Sequence, residues 1–238
     1  MARTKWLFAY AMLAFAMSAA LPSRAQTVTL PFSAEARLAG VDIQFPIAAT
    51  LTRPLPFATI PFVAEADLAD LILKIDDIIR SAGLHLPPGS YQSFGYNGTI
   101  LQVAGDRLWA KYHFRIDPHN ARPTNGSVEM YFRAIIEANA LRLAAEEARL
   151  NISNDIARLV VRGLELDTKL IRQLLGEINA FLASPDARLH LPPELVAADT
   201  ALGATRFANI EGRQVLVVEG TLEITLSLFN RLVNRLLP

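Results

Sequence analysis

The sequence predicts an α+β protein in which a curved antiparallel sheet wraps around two long amphipathic helices, internally duplicated, with a further amphipathic helix at the C-terminus. This expectation comes from two helical stripes of aliphatic residues, an identical proline-containing segment after each stripe, and long segments in which apolar and polar residues alternate. The stripes indicate helices that bury one face, and the alternation indicates antiparallel strands that bury one side. The chain has 238 residues, of which 52% are hydrophobic, so it can fill a substantial core.

Residues 1–25 have the three parts of a secretory signal peptide. Arg3 and Lys5 precede the apolar run Trp6–Met17, and a Ser-x-Ala pattern ends at Ala25. A membrane anchor is the alternative, but this run would span only about 18 Å as a helix, short of the roughly 30 Å hydrocarbon core. A cysteine-free exported chain with three Asn-x-Ser/Thr sequons suits a bacterial periplasm better than a eukaryotic cell surface. We therefore expect a periplasmic protein.

The remaining residues, 26–238, are expected to form a single domain built from two repeats, about 27–120 and 121–238. In the first repeat, Glu65–Ala82 has the i, i+3, i+4, i+7 spacing of an amphipathic helix. Acidic and basic side chains occupy its opposite face, and Gly83 stands where a helix commonly ends. This segment therefore predicts the first helix.

A second stripe runs from Leu170 to Leu182, with Asp167 as a candidate N-cap. A shift of 103 residues places all six aliphatic positions of the first stripe on apolar positions of the second. After each helix the same five residues occur, Leu-His-Leu-Pro-Pro, at 84–88 and at 189–193. These identities predict a duplication with a period of about 105 residues, each unit containing strands, a helix, a proline-marked turn and a hairpin.

Several segments have the period of two that is typical of strands with one buried side. Leu108–Ile116 and Ser127–Ile136 alternate throughout, and Val215–Ile224 supplies the last long strand. Arg142–Ile152 fits both a strand and a helix, and its Leu-Asn-Ile-Ser ending favours the strand. Two glycines indicate hairpin turns: Gly105 and Gly212.

The C-terminal segment Thr225–Leu237 has a third amphipathic stripe. We expect this helix to dock on its own sheet. Transient contact with an anionic membrane surface is the alternative, although two arginines are few for that purpose.

Composition and motifs argue against several functional classes. The 23 basic and 23 acidic residues give no net charge, which disfavours a nucleic-acid partner. Without cysteine there is no thiol catalysis, iron–sulfur cluster or disulfide framework. The sequence also has no Gly-x-Ser-x-Gly elbow, no phosphate-binding P-loop and no His-Glu-x-x-His zinc motif. We therefore expect a protein that is not an enzyme and has no cofactor.

The four histidines allow two functional interpretations, and a structural role is favoured for both pairs. His113 and His119 flank Asp117 and could form a metal site, but this spacing does not imply ligand geometry, and a surface turn is favoured. His85 and His190 are equivalent positions of the repeated segment. We favour a role for them in satisfying backbone groups of a connection, with a functional pair as the alternative.

The order of strands, apolar helix, proline-marked turn and hairpin resembles the tubular lipid-binding superfamily (TULIP, SMP-like), including small bacterial envelope proteins of that form. The resemblance rests on this element order and on the repeated Leu-His-Leu-Pro-Pro segment. It implies an elongated apolar tunnel or groove between the sheet and the helices, which holds or transports an acyl-chain lipid.

The expected function is therefore the binding of a hydrophobic ligand, such as an acyl-chain lipid, in a cavity lined by both helical stripes and the facing sheet. The alternative is an envelope scaffold or assembly factor that binds a protein partner through a sheet edge or the C-terminal helix. The expected lining residues are Leu68, Leu71, Ile72, Ile75, Ile78, Ile171, Leu174, Leu175, Ile178 and Phe181.

We predict that the exported protein begins at Gln26. Ser23 and Ala25 are small enough for the signal peptidase pocket, and Pro22 breaks the preceding helix. The intact mass of the protein in a periplasmic extract measures this directly. A membrane-bound product that retains Met1–Ala25 would contradict both the signal peptide and the periplasmic location.

Overall fold

The computed structural model describes residues 27–52, 59–82, 91–118, 122–137, 140–153, 166–184, 187 and 200–223. Within these ranges the chain forms nine strands and two helices. The elements before residue 120 are β1 (Thr27–Leu38), β2 (Val41–Thr52), β3 (Thr59–Asp67), α1 (Ala69–Ala82), β4 (Tyr91–Ala104) and β5 (Arg107–Pro118). Those after it are β6 (Thr124–Glu137), β7 (Ala140–Ile152), α2 (Leu166–Leu182), β8 (Thr200–Ile210) and β9 (Arg213–Glu223).

The strands form two antiparallel sheets. Sheet A has five strands in the order β1-β2-β3-β9-β8, and sheet B has four in the order β4-β5-β6-β7. Sheet B follows the chain from one neighbour to the next, whereas sheet A joins the two ends of the described chain by pairing β3 with β9. Its register runs from Thr59 opposite Glu223 to Asp67 opposite Val215.

The predicted architecture of one curved sheet wrapped around two long helices is wrong. The described residues are mainly strand, and the helices have only 14 and 17 residues, which corresponds to about 21 and 26 Å. The helical stripes themselves are present, but the helices lie beside strand edges rather than inside one sheet. The sequence pattern predicts strands before the first helix, but it does not show that β1, β2 and β3 join β8 and β9 in a sheet separate from β4–β7.

Three two-residue turns set the registers of hairpins. Ala39 and Gly40 both have positive φ angles, 50° and 81°, and so do Glu211 and Gly212, at 50° and 79°. Positive φ at both central residues defines the type I′ turn, whose twist matches that of paired strands. In the β4–β5 turn only Gly105 has a positive φ, 67°, as in type II′. The predicted turns at Gly105 and Gly212 are therefore confirmed.

Each hairpin also determines which backbone groups point away from the partner strand. Residues that flank a two-residue turn bond to each other, so in β2 the groups of Asp42, Gln44 and Pro46 point away from β1. β3 pairs with β2 only from Ile47 onward. Pro46 has no N–H to satisfy, but Gln44 and Asp42 need partners from elsewhere.

Helix α1 supplies those partners. Asp70 Oδ2 accepts the Gln44 N–H at 2.8 Å, and Lys74 Nζ donates to the Asp42 carbonyl at 2.8 Å and to Asp70 at 2.9 Å. The Gln44 N–H and the Lys74 ammonium hold the pKa of Asp70 below its ordinary value. The first turn of α1 thus bonds the part of β2 with which β3 does not pair.

The predicted start of this helix at Glu65 is four residues too early. Glu65 and the two residues after it remain in β3, paired with β9. The Leu68 N–H then donates to the Gln214 carbonyl at 3.0 Å, and Asp67 Oδ1 accepts the Ala69 N–H at 2.8 Å. Strand pairing therefore prevails over helical periodicity until the side chain of Asp67 satisfies the helix N-terminus.

The outer strands of sheet B are also bonded by side chains. Asp76 in α1 accepts the Thr99 N–H of β4 at 2.8 Å. Asn179 in α2 accepts the Ala145 N–H of β7 at 2.9 Å and donates to its carbonyl at 3.0 Å. Both contacts lie next to irregularities in strand pairing, where a helix can approach the edge.

Two groups of buried apolar residues form the core. The inter-sheet cluster contains residues from strands of both sheets, Leu68 between β3 and α1, and Leu71 and Ile78 of α1. The two sheets are also joined by a bond from Thr205 Oγ1 to the Ala134 carbonyl at 2.8 Å. The second group, the helix–sheet cluster, contains Ile79, Tyr112, Phe114, Val128, Met130, Ala145, Ile178 and Leu182.

Other predictions have mixed outcomes. Strands β5 and β6 alternate as expected, and the preference for a strand at 142–152 is confirmed by β7. Four consecutive residues of β9, Val215–Val218, are buried, so this strand is covered on both faces rather than one. Each helix is followed along the chain by a hairpin, but the duplication itself stays a prediction. The signal peptide, both Leu-His-Leu-Pro-Pro segments and Thr225–Leu237 lie outside the described residues.

We predict that Asn179→Ala lowers the free energy of unfolding by about 2 kcal/mol, because it leaves a buried N–H and carbonyl of Ala145 without partners. Chemical denaturation measures the change. Asn209→Ala, at an exposed asparagine of β8, is the matched control and should change stability by less than about 0.5 kcal/mol. Equal losses in the two variants would contradict the role of Asn179.

Candidate functional site

The helix–sheet cluster is the place where both helices meet one sheet. Ile79 of α1 and Ile178 and Leu182 of α2 are buried in it against residues from β5, β6 and β7. These helical positions recur every three or four residues, so each helix presents one aliphatic face to the inner side of sheet B. The cluster therefore combines two separate helical stripes in one apolar surface.

Aromatic residues form the floor of this surface. Phe114 is 1% exposed, and its ring centroid lies 6.2 Å from that of Tyr112, which in turn lies 5.1 Å from that of Tyr96. Gly126 lies opposite Phe114 on β6, and a β-carbon there would stand 2.4 Å from the phenyl ring. Only glycine at 126 leaves room for Phe114 to lie over the sheet.

Nine of the ten residues predicted to line a cavity belong to the two clusters or pack against them. Leu68, Leu71 and Ile78 are buried in the inter-sheet cluster, with Ile72 packed against it. Ile178 is buried in the helix–sheet cluster, with Leu174 and Leu175 packed against it. Ile75 and Phe181 are half-buried and contact both clusters, whereas Ile171 is half-buried on α2.

Partial exposure is concentrated in one part of this set. The half-buried members that pack on the helix–sheet cluster are Ile75, Leu174, Leu175 and Phe181. The residues of the set in the inter-sheet cluster are mostly 2–5% exposed. The predicted set therefore has a packed part between the sheets and a more accessible part above sheet B, with Ile75 and Phe181 in contact with both clusters.

A polar group, which we call the α1–β4 clasp, borders the accessible part. Tyr96 Oη donates to Asp76 Oδ1, which also accepts the Thr99 N–H at 2.8 Å. Tyr96 Oη and Thr99 Oγ1 are 2.9 Å apart, and the Arg80 guanidinium lies 5.5 Å from the Tyr96 ring centroid. The clasp joins the helix to the strand at the irregular pairing between Tyr96 and Gly98.

The clasp and the aromatic floor favour neutral phenols. Burial, together with the hydrogen bond to the Asp76 carboxylate, raises the pKa of Tyr96 to about 12. Burial also raises the pKa of Tyr112, which lies deeper in the cluster. Ionising either phenol would place an anion beside apolar side chains, so both tyrosines act as hydrogen-bonding or packing groups at neutral pH.

A depression lies at the start of α1, away from the helix–sheet cluster. It is open, has a volume of about 350 Å³, and is lined by Gln44, Pro46, Asp67, Ala69, Asp70 and Lys74. The polar groups among these are already bonded to strand edges or to the helix N-terminus. This depression is open and has a mixed polar and apolar lining, unlike the apolar tunnel between sheet and helices that the sequence predicts.

The described residues contain few groups of side chains that could bind a metal or act in catalysis. Within the described ranges, no group of three or more His, Cys, Asp or Glu side chains could hold a metal ion. Asp117 accepts a hydrogen bond from Ser93 at 2.8 Å and lies 3.5 Å from Arg115, so it is engaged without His113. His119, His85 and His190 lie outside the described residues.

Similarity to known proteins does not assign this geometry to a family. Neither a family model, nor a curated protein, nor a solved structure matches the chain. In the part of the chain that the structure describes, no helix combines the length and apolarity needed to cross a bilayer.

The sequence interpretation missed the residues that hold the helices in place. The sequence pattern places Asp76 on the polar face of the first helix and gives Asn179 no role, because a polar residue on a helix ordinarily faces water. Their partners are backbone groups of distant strands. The available signal is an asparagine within the otherwise apolar stretch Ile178–Leu182 of α2.

We predict that the stability advantage of the native protein over Tyr96→Phe is largest below pH 10 and falls as the pH rises toward about 12. An ordinary tyrosine ionises near pH 10, so above that value ionisation favours the unfolded chain. The folded-state pKa of Tyr96, about 12, sets the upper end of this window. Urea denaturation across the window measures the difference, and a constant difference would contradict the assignment.

Proposed function

We propose that the protein binds an acyl-chain lipid, or a ligand of similar apolar chemistry, above the inner face of sheet B between α1 and α2. The observation that carries this proposal is the row of half-buried aliphatic and aromatic side chains on the helix–sheet cluster: Ile75, Leu174, Leu175 and Phe181. We further propose that it acts in the periplasm, without catalysis, as its leader segment and missing catalytic motifs indicate.

The chemistry of this row favours a flexible apolar chain. Its side chains have no hydrogen-bonding group, so a polar ligand placed against them would lose water without replacement. A methylene chain would instead cover apolar surface, at about 25 cal/mol per Å² removed from water. The polar groups of the α1–β4 clasp lie at one border, where the polar end of an amphiphile would meet them.

The helices are also held independently of any ligand. Asn179 bonds α2 to β7, and Asp76 bonds α1 to β4. Because these contacts use the backbone of the strands, they fix the two helices beside the cluster before a ligand arrives. Such preorganisation lowers the entropic cost of binding.

A scaffold function remains the second candidate, supported by the outer edge of sheet A. Among the described strands, β1 pairs only with β2, and it is 12 residues long. A strand of a partner protein could pair with it. The backbone nitrogen of Pro31 faces that open edge but carries no hydrogen to donate. Pairing would therefore be confined mainly to Ser33–Arg37.

We predict that protein purified without detergent carries phospholipid or fatty acid, which native mass spectrometry detects. Ile75→Trp should remove the ligand with little loss of stability, because tryptophan would occupy the space of the ligand. Leu73→Trp is the matched control on the same helix, since Leu73 is 80% exposed, and it should retain the ligand.

The opposite pattern would contradict lipid binding. If the helix–sheet cluster is completely packed, Ile75→Trp overfills it and costs about 1–3 kcal/mol. Ligand-free native protein that also fails to take up a fluorescent fatty acid, together with a destabilised Ile75→Trp variant, would leave the scaffold function in first place.

A further inference from the structure

The outer face of sheet B carries a row of residues that the proposed lipid site does not use. The registers place Gln102, Trp109, Tyr131 and Glu147 side by side across the four strands. Alternation sends their side chains away from the core, because the chain neighbours of Trp109 belong to the inter-sheet cluster and Met130, next to Tyr131, belongs to the helix–sheet cluster. We call this set the outer row.

Ion pairs fix the charged groups around the outer row. Arg107 contacts Glu146 at 3.6 Å and Glu147 at 3.7 Å, and its guanidinium lies 6.0 Å from the Tyr131 ring centroid. Arg133 contacts Glu146 at 3.2 Å. Several charges that restrain one another present donors and acceptors in defined directions, as a loose set of surface side chains would not.

Trp109 is the residue of the outer row whose side chain can still accept a stacking or hydrogen-bonding partner. Its side chain is half-buried, and within the described residues its indole has neither a hydrogen-bond partner nor a ring contact. It faces Tyr131 in a pair whose backbone groups point away from each other, which brings the side chains close together. Ile100, 49% exposed on β4, extends the flat surface beside it.

We propose that the outer row binds a neutral oligosaccharide, with the indole of Trp109 stacked on a sugar ring. A pyranose has a face of C–H groups, which packs on an aromatic ring, and a rim of hydroxyls that both donate and accept hydrogen bonds. Gln102 and Glu147 flank the two aromatic residues and can bond that rim. An extended β-linked chain would lie flat on the sheet.

The charge balance separates this ligand from other partners. Four basic and three acidic side chains surround the row, and each of them is in an ion pair: Arg107, Lys111, Arg133 and Arg149 with Glu129, Glu146 and Glu147. A nucleic-acid site would need several basic side chains free of carboxylate partners beside its stacking groups. A bilayer would have to bury these charges, which is costly. A neutral sugar requires neither.

The test uses the full chain with Trp6→Phe, in which Trp109 is the only tryptophan. Hexasaccharides of β-1,4-linked N-acetylglucosamine and of β-1,4-linked glucose serve as probes. At least one should shift the indole emission saturably, with a Kd of about 1 mM or tighter. In isothermal titration of otherwise native protein, Trp109→Leu should weaken binding at least about tenfold. Val63→Ala, at an exposed apolar residue of sheet A, should leave it unchanged.

Three results would overturn the proposal: no saturable change with either sugar, equal binding by Trp109→Leu, or binding of oligothymidine or anionic vesicles in place of sugar. Thermal melting establishes that each variant is folded. Lipid retention is a separate measurement, because Trp109→Leu should keep the lipid and Ile75→Trp should keep sugar binding. Either site can therefore fail without the other.

Discussion

The structure depends on the need of backbone groups at strand edges for hydrogen-bond partners. At three such edges a helix lies beside the strand, and a side chain of the helix completes the bonding. Asp70 does this for β2, Asp76 for β4 and Asn179 for β7. The positions of both helices, and therefore the direction of their aliphatic faces, follow from these contacts.

This constraint explains why an apolar surface forms above sheet B. A helix bonded to a strand edge cannot also lie over the middle of the sheet, so its stripe reaches the cluster from the side. The innermost positions, such as Ile79 and Ile178, become buried, whereas Leu174 and Leu175 keep partial exposure. The same geometry places the polar clasp of Asp76 and Tyr96 at the border of the apolar surface rather than within it.

Alternation gives sheet B two surfaces with different chemistry. On the inner side, Tyr112 and Phe114 pack under the helices. On the outer side, Trp109 and Lys111 lie among charged residues from the neighbouring strands. Because the two sets belong to the same strands, a change that shifts the register would disturb both surfaces. A single-residue substitution on one face leaves the register and the other face intact, so the two surfaces can be examined separately.

The sequence by itself determined the local structure. The period of two in β5, β6 and β7 and the aliphatic stripes of both helices indicate which side of each segment is buried. The glycines of the β4–β5 and β8–β9 turns indicate where the hairpins reverse direction. These signals identified most of the residues that now form the apolar surface, including Ile75 and Phe181.

Only the tertiary structure decided which surfaces meet. Periodicity says that a face is buried but not what covers it, so pairing of β3 with β9 and the division into two sheets could not be read from the chain. The same limit applies to Asp76 and Asn179, whose partners are backbone groups of distant strands and leave no pattern of side chains in the sequence. Local order follows from the spacing of residues, whereas edge partners depend on contacts that form only when distant segments come together.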